Sequence, residues 1–381
     1  MTQRRETLLP LTSLRFVAAL LVFSWHCVPT RRIAVTFSFG YLGVAFFFLL
    51  SGFILTYTYH GAFRDGLRVD AIRAFYAARI ARVYPLHLAA MPLAIACLAL
   101  GTSPLWNAAD AHTRLDAIAA QAVLLQSWIP VGPVYFGANG PAWSISVEAF
   151  FYACFPVLAF GLLRLFRRSP PHTVLLCAAA LWLVQLLVLW PQHAAVDDWR
   201  WYVFPPSRLA EFVVGMMLGI AYLRAGERAR WPLRATSVEI LALAAVVLAV
   251  YVSPLVPLAV RFSAWVMPAW CAVIFVFAHR RGAISRLLSH PALVRLGEIS
   301  FAFYLCHIAV VMVCERFGWR HPLMLPLALG CTLALSFALY HGIEQPMRTR
   351  VRGLLMPRAA RESLAAARQP LAAGHVAVAE G

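Results

Sequence analysis

The chain predicts an all-α integral membrane protein, a bundle of about ten transmembrane helices with both termini cytoplasmic, and three observations carry that prediction. Hydrophobic residues fill 62% of the 381 positions and charged residues 13%, with a mean hydropathy of +0.73. A soluble globule runs nearer half apolar and a quarter charged. The apolar residues gather in ten runs, each close to the ~20 residues that a helix rising ~1.5 Å per residue needs to cross ~30 Å of hydrocarbon. The arginines sit in the gaps between runs, heavily on alternate gaps, as cytoplasmic loops demand.

In chain order the spans fall near 11–28, 38–59, 83–101, 142–164, 173–190, 206–223, 236–253, 258–278, 298–315 and 322–343. Arg4 and Arg5 before the first run imitate a secretory signal, but no small-x-small cleavage site follows, so the run reads as a retained first helix. The run near 115–129 is too short to span and reads as an interfacial or re-entrant helix. One set of alternate gaps holds 24 arginines and the other 8, which places both termini on the cytoplasmic side despite Arg31 and Arg32 in the first outer loop. The domain layout expected is one membrane domain over 1–346, then an Arg- and Ala-rich, disordered cytoplasmic tail over 347–381.

The same composition excludes several classes. All 33 basic residues are arginine, and the net charge of +17 is distributed as topology requires rather than on one face, which argues against a nucleic-acid partner. The eight cysteines include no CxxC and no Cys/His pair at zinc spacing, so they read as apolar fillers and no metal site is expected. No repeat and no Gly-rich phosphate loop is present.

Against this apolar background the ionisable residues inside spans stand out, because a charged group in hydrocarbon costs at least a few kcal/mol and marks a proton, ion or reaction site. His26 lies near the outer end of the first span, in LRFVAALLVFSWHC, and Glu148 a turn or two inside the fourth, in PAWSISVEAFFYACFP. Counted along their helices the two reach a similar depth, and a carboxylate beside an imidazole suits it to take a proton from an alcohol. At the opposite end Arg15 begins the first span, while Arg79 and Arg82 lead into the third, three apart on one helical face. Such guanidinium forks can grip a polyanion. His307, in SFAFYLCHIAV, is either a second proton carrier or a packing residue; Glu344 reads as an ion-pair partner for nearby arginines. His87 reads as a loop or helix-end residue, and Trp143 and its fellow tryptophans at span ends as an interfacial belt.

These segments resemble the acyltransferase 3 family, bacterial membrane O-acyltransferases of polysaccharides, lipopolysaccharide, Nod factors and macrolides. The resemblance covers all ten spans. It rests on LTSLRFVAALLVFSWH with Arg15 and His26, YLGVAFFFLLSGFIL with Ser51 and Gly52, RIARVYPLHL with Arg79, Arg82 and Pro85, and PAWSISVEAFFYACFP with Trp143, Ser146 and Glu148. SRLAEFVVGMMLG, LGEISFAFYLCHI with Ser300, Tyr304 and His307, and the closing IEQP complete it. The resemblance implies transfer of an acyl group, usually acetyl, from cytoplasmic coenzyme A to an outer hydroxyl, with acyl-CoA as donor substrate and no bound cofactor. It implies His26 and Glu148 as catalytic, Arg15, Arg79 and Arg82 as donor-binding, and Trp143, Ser146, Tyr304 and His307 as supporting. The acceptor expected is an exopolysaccharide or O-antigen glycan, or a lipid-linked saccharide, at a bacterial cytoplasmic (inner) membrane. The extracytoplasmic SGNH domain that many larger members carry is not expected here, so transfer is expected to finish within the membrane domain or to use a separate partner. A small-molecule acceptor such as a macrolide is the alternative, and a proton-coupled transporter or flippase the rival class, although no repeated halves with broken helices support the latter.

Overall fold

In a computed structural model of the chain, residues 7–27, 40–101, 103–192, 199–226, 234–317 and 324–356 are described. Arg4, Arg5, Arg31, Arg32 and the tail from 357 onward lie outside them. The described residues form helices joined by turns and loops, with no strand among them, and ten helices are long and apolar enough to cross a membrane. Helix is the only open-ended solution in lipid, since each backbone N–H and C=O must find its partner within the segment.

The first eight helices that build the site and its scaffold are α1 (Leu9–Cys27), α2 (Gly40–Phe63), α3 (Val69–Leu98), the short α4 (Ala111–Ala122), α5 (Trp143–Leu165), α6 (Pro171–Leu189), α7 (Leu209–Ala225) and α8 (Ala235–Val252). They continue with α9 (Leu258–Ser263), α10 (Met267–Ala278), α11 (Pro291–Phe317), α12 (Met324–Leu339) and α13 (Gln345–Leu355). The end of the bundle at which α1 begins is called the near end, and the end at which it stops the far end.

Helix α2 is the axis of the bundle: 78% of its apolar window is buried, against 17% for α6 and for the α8 and α12 spans, whose exposed leucines and valines present an apolar outer surface. In lipid, helices associate by close packing rather than by hydrophobicity, so small residues mark their contacts. Gly215 and Gly219 of α7 form a GxxxG stripe: a Cβ on Gly215 would collide with the Leu49 carbonyl of α2, and one on Gly219, a turn further along α7, would press on the Phe53 carbonyl, a turn further along α2. Helices α2 and α7 therefore run parallel, backbone against backbone. Helices α1 and α11 are parallel too, with Gly297 against Thr12 and Phe303 against Phe16 and Phe23, while Gly43 against Ala18 and Gly40 against Trp25 make α2 antiparallel to α1.

Three local features differ from the sequence expectations. The third span is longer than the apolar run from 83: α3 begins at Val69 because the arginine-bearing segment is helical too, which puts Arg79, Arg82 and His87 well inside a helix. His87 is thus no helix-end residue; it is 1% exposed and donates from Nε2 to the Gln121 carbonyl at 2.8 Å. The eighth span breaks between α9 and α10, where Trp182 Nε1 of α6 satisfies the freed Ala264 carbonyl at 2.8 Å. The last span does not end at Pro346: a π-turn, Tyr340–Glu344, leads into α13, where Pro346 takes the first turn of a new helix instead of terminating the old one.

The short helix α4, which overlaps the segment expected at 115–129 but begins and ends earlier, starts where Asp110 Oδ1 accepts the Thr113 N–H at 2.7 Å, an N-cap that holds this carboxyl below its usual range. The segment from α4 to α5 is tied down at several points. Gln126 Nε2 donates to the Ala142 carbonyl, Ser127 Oγ to that of Trp143, and Asn139 Nδ2 to that of Leu305 on α11.

One buried carboxylate serves the scaffold alone. Glu239, in the second turn of α8 and 0% exposed, accepts the backbone N–H groups of Gly282, Ile284 and Ser285 at 2.9, 2.9 and 3.2 Å, where the short helix Ala283–Leu288 begins. A second, Glu211, is held by Arg208 at 2.6 Å with both side chains fully enclosed.

Candidate active site

Two polar clusters lie along α1. The first is at the near end, where α1, α2, α3, α5 and the π-turn bring charged side chains together. Arg82 pairs with Glu344 and lies over the Phe301 ring. Arg79 sits among the rings of Tyr59, Phe75 and Tyr152, each 5.7–5.9 Å from its guanidinium carbon, and donates to the Tyr59 hydroxyl at 3.4 Å. Its Nε is enclosed without a hydrogen-bond partner among the described residues. Glu148 Oε1 accepts from Ser51 Oγ at 3.0 Å, with Tyr152, one turn on, in hydrogen-bonding reach and Arg15 and Arg79 close enough to interact electrostatically. Arg348 of α13 joins from the exposed rim. Arg15, Ser51, Arg79, Arg82, Glu148 and Tyr152, drawn from α1, α2, α3 and α5, are all partly exposed.

The second cluster is at the far end. His26 Nδ1 lies 2.9 Å from the Val22 carbonyl and 3.2 Å from Nε2 of His307, whose own Nδ1 lies 2.7 Å from the Tyr304 carbonyl. His307 is fully buried, in contact with the rings of Phe23, Phe303 and Tyr304. His26 is partly exposed, and its Nε2 has no partner among the described residues. An imidazole so placed can accept a proton from an alcohol.

The expected contact between His26 and Glu148 is not formed. His26 meets His307, and Glu148 belongs to the arginine cluster. Counting along α5 misjudged its depth because the 126–142 segment carries the chain inward before α5 begins. Its first residue, Trp143, already packs against Phe48, nine residues into α2, and Glu148 then falls level with Ser51. On the antiparallel α1 that level is Arg15, eleven residues before His26, or ~16 Å along a helix at ~1.5 Å per residue.

The remaining expected residues are structural supports. Ser146 Oγ donates to the Leu124 carbonyl at 2.6 Å and accepts from the Ser127 N–H, pinning the 126–142 segment to α5. Trp143, 4% exposed, is no belt residue; it packs against Phe48, Tyr202 and the Arg208 guanidinium. The Tyr304 hydroxyl shares a 2.7 Å hydrogen bond with Ser144 and reaches the Pro141 carbonyl at 3.0 Å. Sequence reasoning missed Arg348, Tyr59 and Tyr152 as members of the near-end cluster. The signal for Arg348 was its spacing of four from Glu344, which places both on one helical face.

Fold and site together define a multi-pass membrane protein with an arginine-rich cluster at one end of its interior and a histidine pair at the other. The chain belongs to the acyltransferase 3 family, an acyltransferase domain whose match runs over residues 11–341. It is 32% identical to acyltransferase MdmB of Streptomyces mycarofaciens, over 81% of this chain and 79% of that protein. It is 27% identical to the putative peptidoglycan O-acetyltransferase YrhL of Bacillus subtilis, over 92% of this chain but 56% of that longer protein, and 25% identical to nodulation protein 10 of Rhizobium leguminosarum bv. viciae, over 80% and 81%. No solved structure matches. The protein is therefore an acyltransferase.

Proposed function

We propose that this acyltransferase moves an acyl group, acetyl by default, from acyl-CoA on the cytoplasmic side of a bacterial inner membrane to a hydroxyl of a glycan or lipid-linked saccharide outside. The observation that carries this reading is the division of the polar interior. At the near end four arginines, Arg15, Arg79, Arg82 and Arg348, face two carboxylates, Glu148 and Glu344. An excess of positive charge away from bulk water favours a polyanion, and the phosphates of coenzyme A supply one. The arginine-rich gaps make this end the cytoplasmic one. The pantetheine arm then lies along the interior and presents the thioester at His26.

There the acceptor hydroxyl meets Nε2 of His26, which takes its proton as the oxygen attacks the acyl carbon; the C–S bond breaks, and the proton passes to the departing thiolate. A relayed version, through an acyl-imidazole, uses the same nitrogen. Glu148, remote from His26, orders Ser51, Arg15 and Arg79 for the donor. A glycan acceptor is favoured by the O-acetyltransferase name of the Bacillus subtilis relative.

The test is transfer of label from acetyl-CoA to surface polysaccharide in cells lacking the gene, complemented with the wild type, His26→Ala or Arg82→Ala at equal membrane levels. Label with the wild type and none with His26→Ala supports the reading. Label with His26→Ala removes His26 from the chemistry, and none with the wild type rejects acetyl, this donor or this acceptor.

A further inference from the structure

We infer that His307 is a positioning residue for the transfer reaction, fixing His26 in the tautomer whose Nε2 is the base; this rests on the acyl-transfer reading above. The buried ring fixes the protons one after another. His307 Nδ1 lies 2.7 Å from the Tyr304 carbonyl, which can only accept, so Nδ1 carries the proton. A neutral imidazole has one N–H, so His307 Nε2 presents a lone pair. That lone pair faces His26 Nδ1 at 3.2 Å, and the other neighbour of this nitrogen, the Val22 carbonyl at 2.9 Å, is also an acceptor. His26 Nδ1 therefore carries its proton, and the lone pair is left on Nε2, the nitrogen without a partner among the described residues.

The two acceptors are not equivalent. The Val22 carbonyl already takes the backbone N–H of His26 in the α1 ladder, so it offers the ring only its remaining lone pair. His307 Nε2 has no other hydrogen-bond partner among the described residues, and its ring is held by Phe23, Phe303 and Tyr304 in a fully buried site. His307 thus occupies the place at which a carboxylate orients the imidazole in other general-base pairs. When Nε2 takes the hydroxyl proton, His26 becomes an imidazolium whose Nδ1–H still donates to His307. When that proton leaves with the thiolate, His26 returns to the same tautomer without rotating its ring.

The experiment uses permeabilised cells of the native host lacking the gene, complemented with wild type, His26→Ala, His307→Gln, His307→Asn or His307→Leu, titrated with labelled acetyl-CoA and normalised to membrane level. Gln carries an oxygen at the position of Nε2 and can still accept from His26; Asn reaches only the position of Nδ1. Gln is expected to keep most of the maximum rate, while Asn and Leu lose about 10²-fold, the scale of a misplaced general base, with the apparent KM for acetyl-CoA unchanged. The Gln–Asn contrast stands even if Leu fails to insert. Equal rates for Gln and Asn, a raised KM as the main effect, or wild-type rates for all three overturn the inference while the acyl-transfer reading survives on His26→Ala. No transfer by the wild type overturns both.

Discussion

The near-end and far-end clusters use opposite means to keep polar groups inside an apolar bundle. At the near end the charges are many, partly exposed apart from the buried Glu344, and shared among helices: Arg82 with Glu344, Arg79 among three aromatic rings, Glu148 with Ser51. At the far end two neutral imidazoles satisfy each other and two backbone carbonyls, with no charged partner among the described residues. An arginine cluster of this kind is built to be completed by an anion, whereas a neutral pair is complete and holds one lone pair outward. On the proposed reading binding and chemistry are separated in space, and they are expected to separate in kinetics.

His26→Ala is the largest test of that separation. It is expected to lower the maximum transfer rate by about 10³-fold while leaving the apparent KM for acetyl-CoA in place, as read by labelled-donor titration. Next comes Arg208→Met, which touches neither cluster directly. Breaking a buried pair with Glu211 costs about 3–5 kcal/mol, so the melting midpoint in detergent is expected to fall, with unchanged KM in the protein that remains folded. If KM moves instead, the scaffold and the donor pocket are not separable. Arg79→Ala removes a charge-assisted contact worth about 1.5–3 kcal/mol, so apparent KM is expected to rise about 10- to 100-fold at a nearly constant maximum rate; a fall in rate alone would merge the two ends. The mildest change, Ser51→Ala, removes one hydrogen bond to Glu148 and is expected to raise KM only about fivefold, roughly 1 kcal/mol.

What could be read from sequence was whatever depends on single helices. Apolar length located the spans, an intramembrane His singled out His26, and helical spacing put Arg79 and Arg82 on one face. How helices meet could not be read that way. Glu148 was paired with the wrong partner because its depth is set by Ser146, Ser127 and Trp143 holding the preceding segment inside the bundle. Arg348 was assigned to a tail because a π-turn, which leaves no periodicity to detect, carries the helix past Pro346. His307 was legible as a buried ionisable group, yet its partner lies 281 residues away.

The Glu239 clamp also constrains assembly. Its carboxylate is synthesised 43 residues before Gly282, so it must enter or skirt the bilayer while the amides that will receive it do not yet exist. Until α8, α9 and α10 have all been delivered, the side chain has only water or headgroups to turn to, and α8 cannot settle at its final depth. The seventh and eighth spans are thus expected to be released into lipid together rather than one by one, with Glu239 acting as a checkpoint that opens only when the short helix at Ala283 arrives.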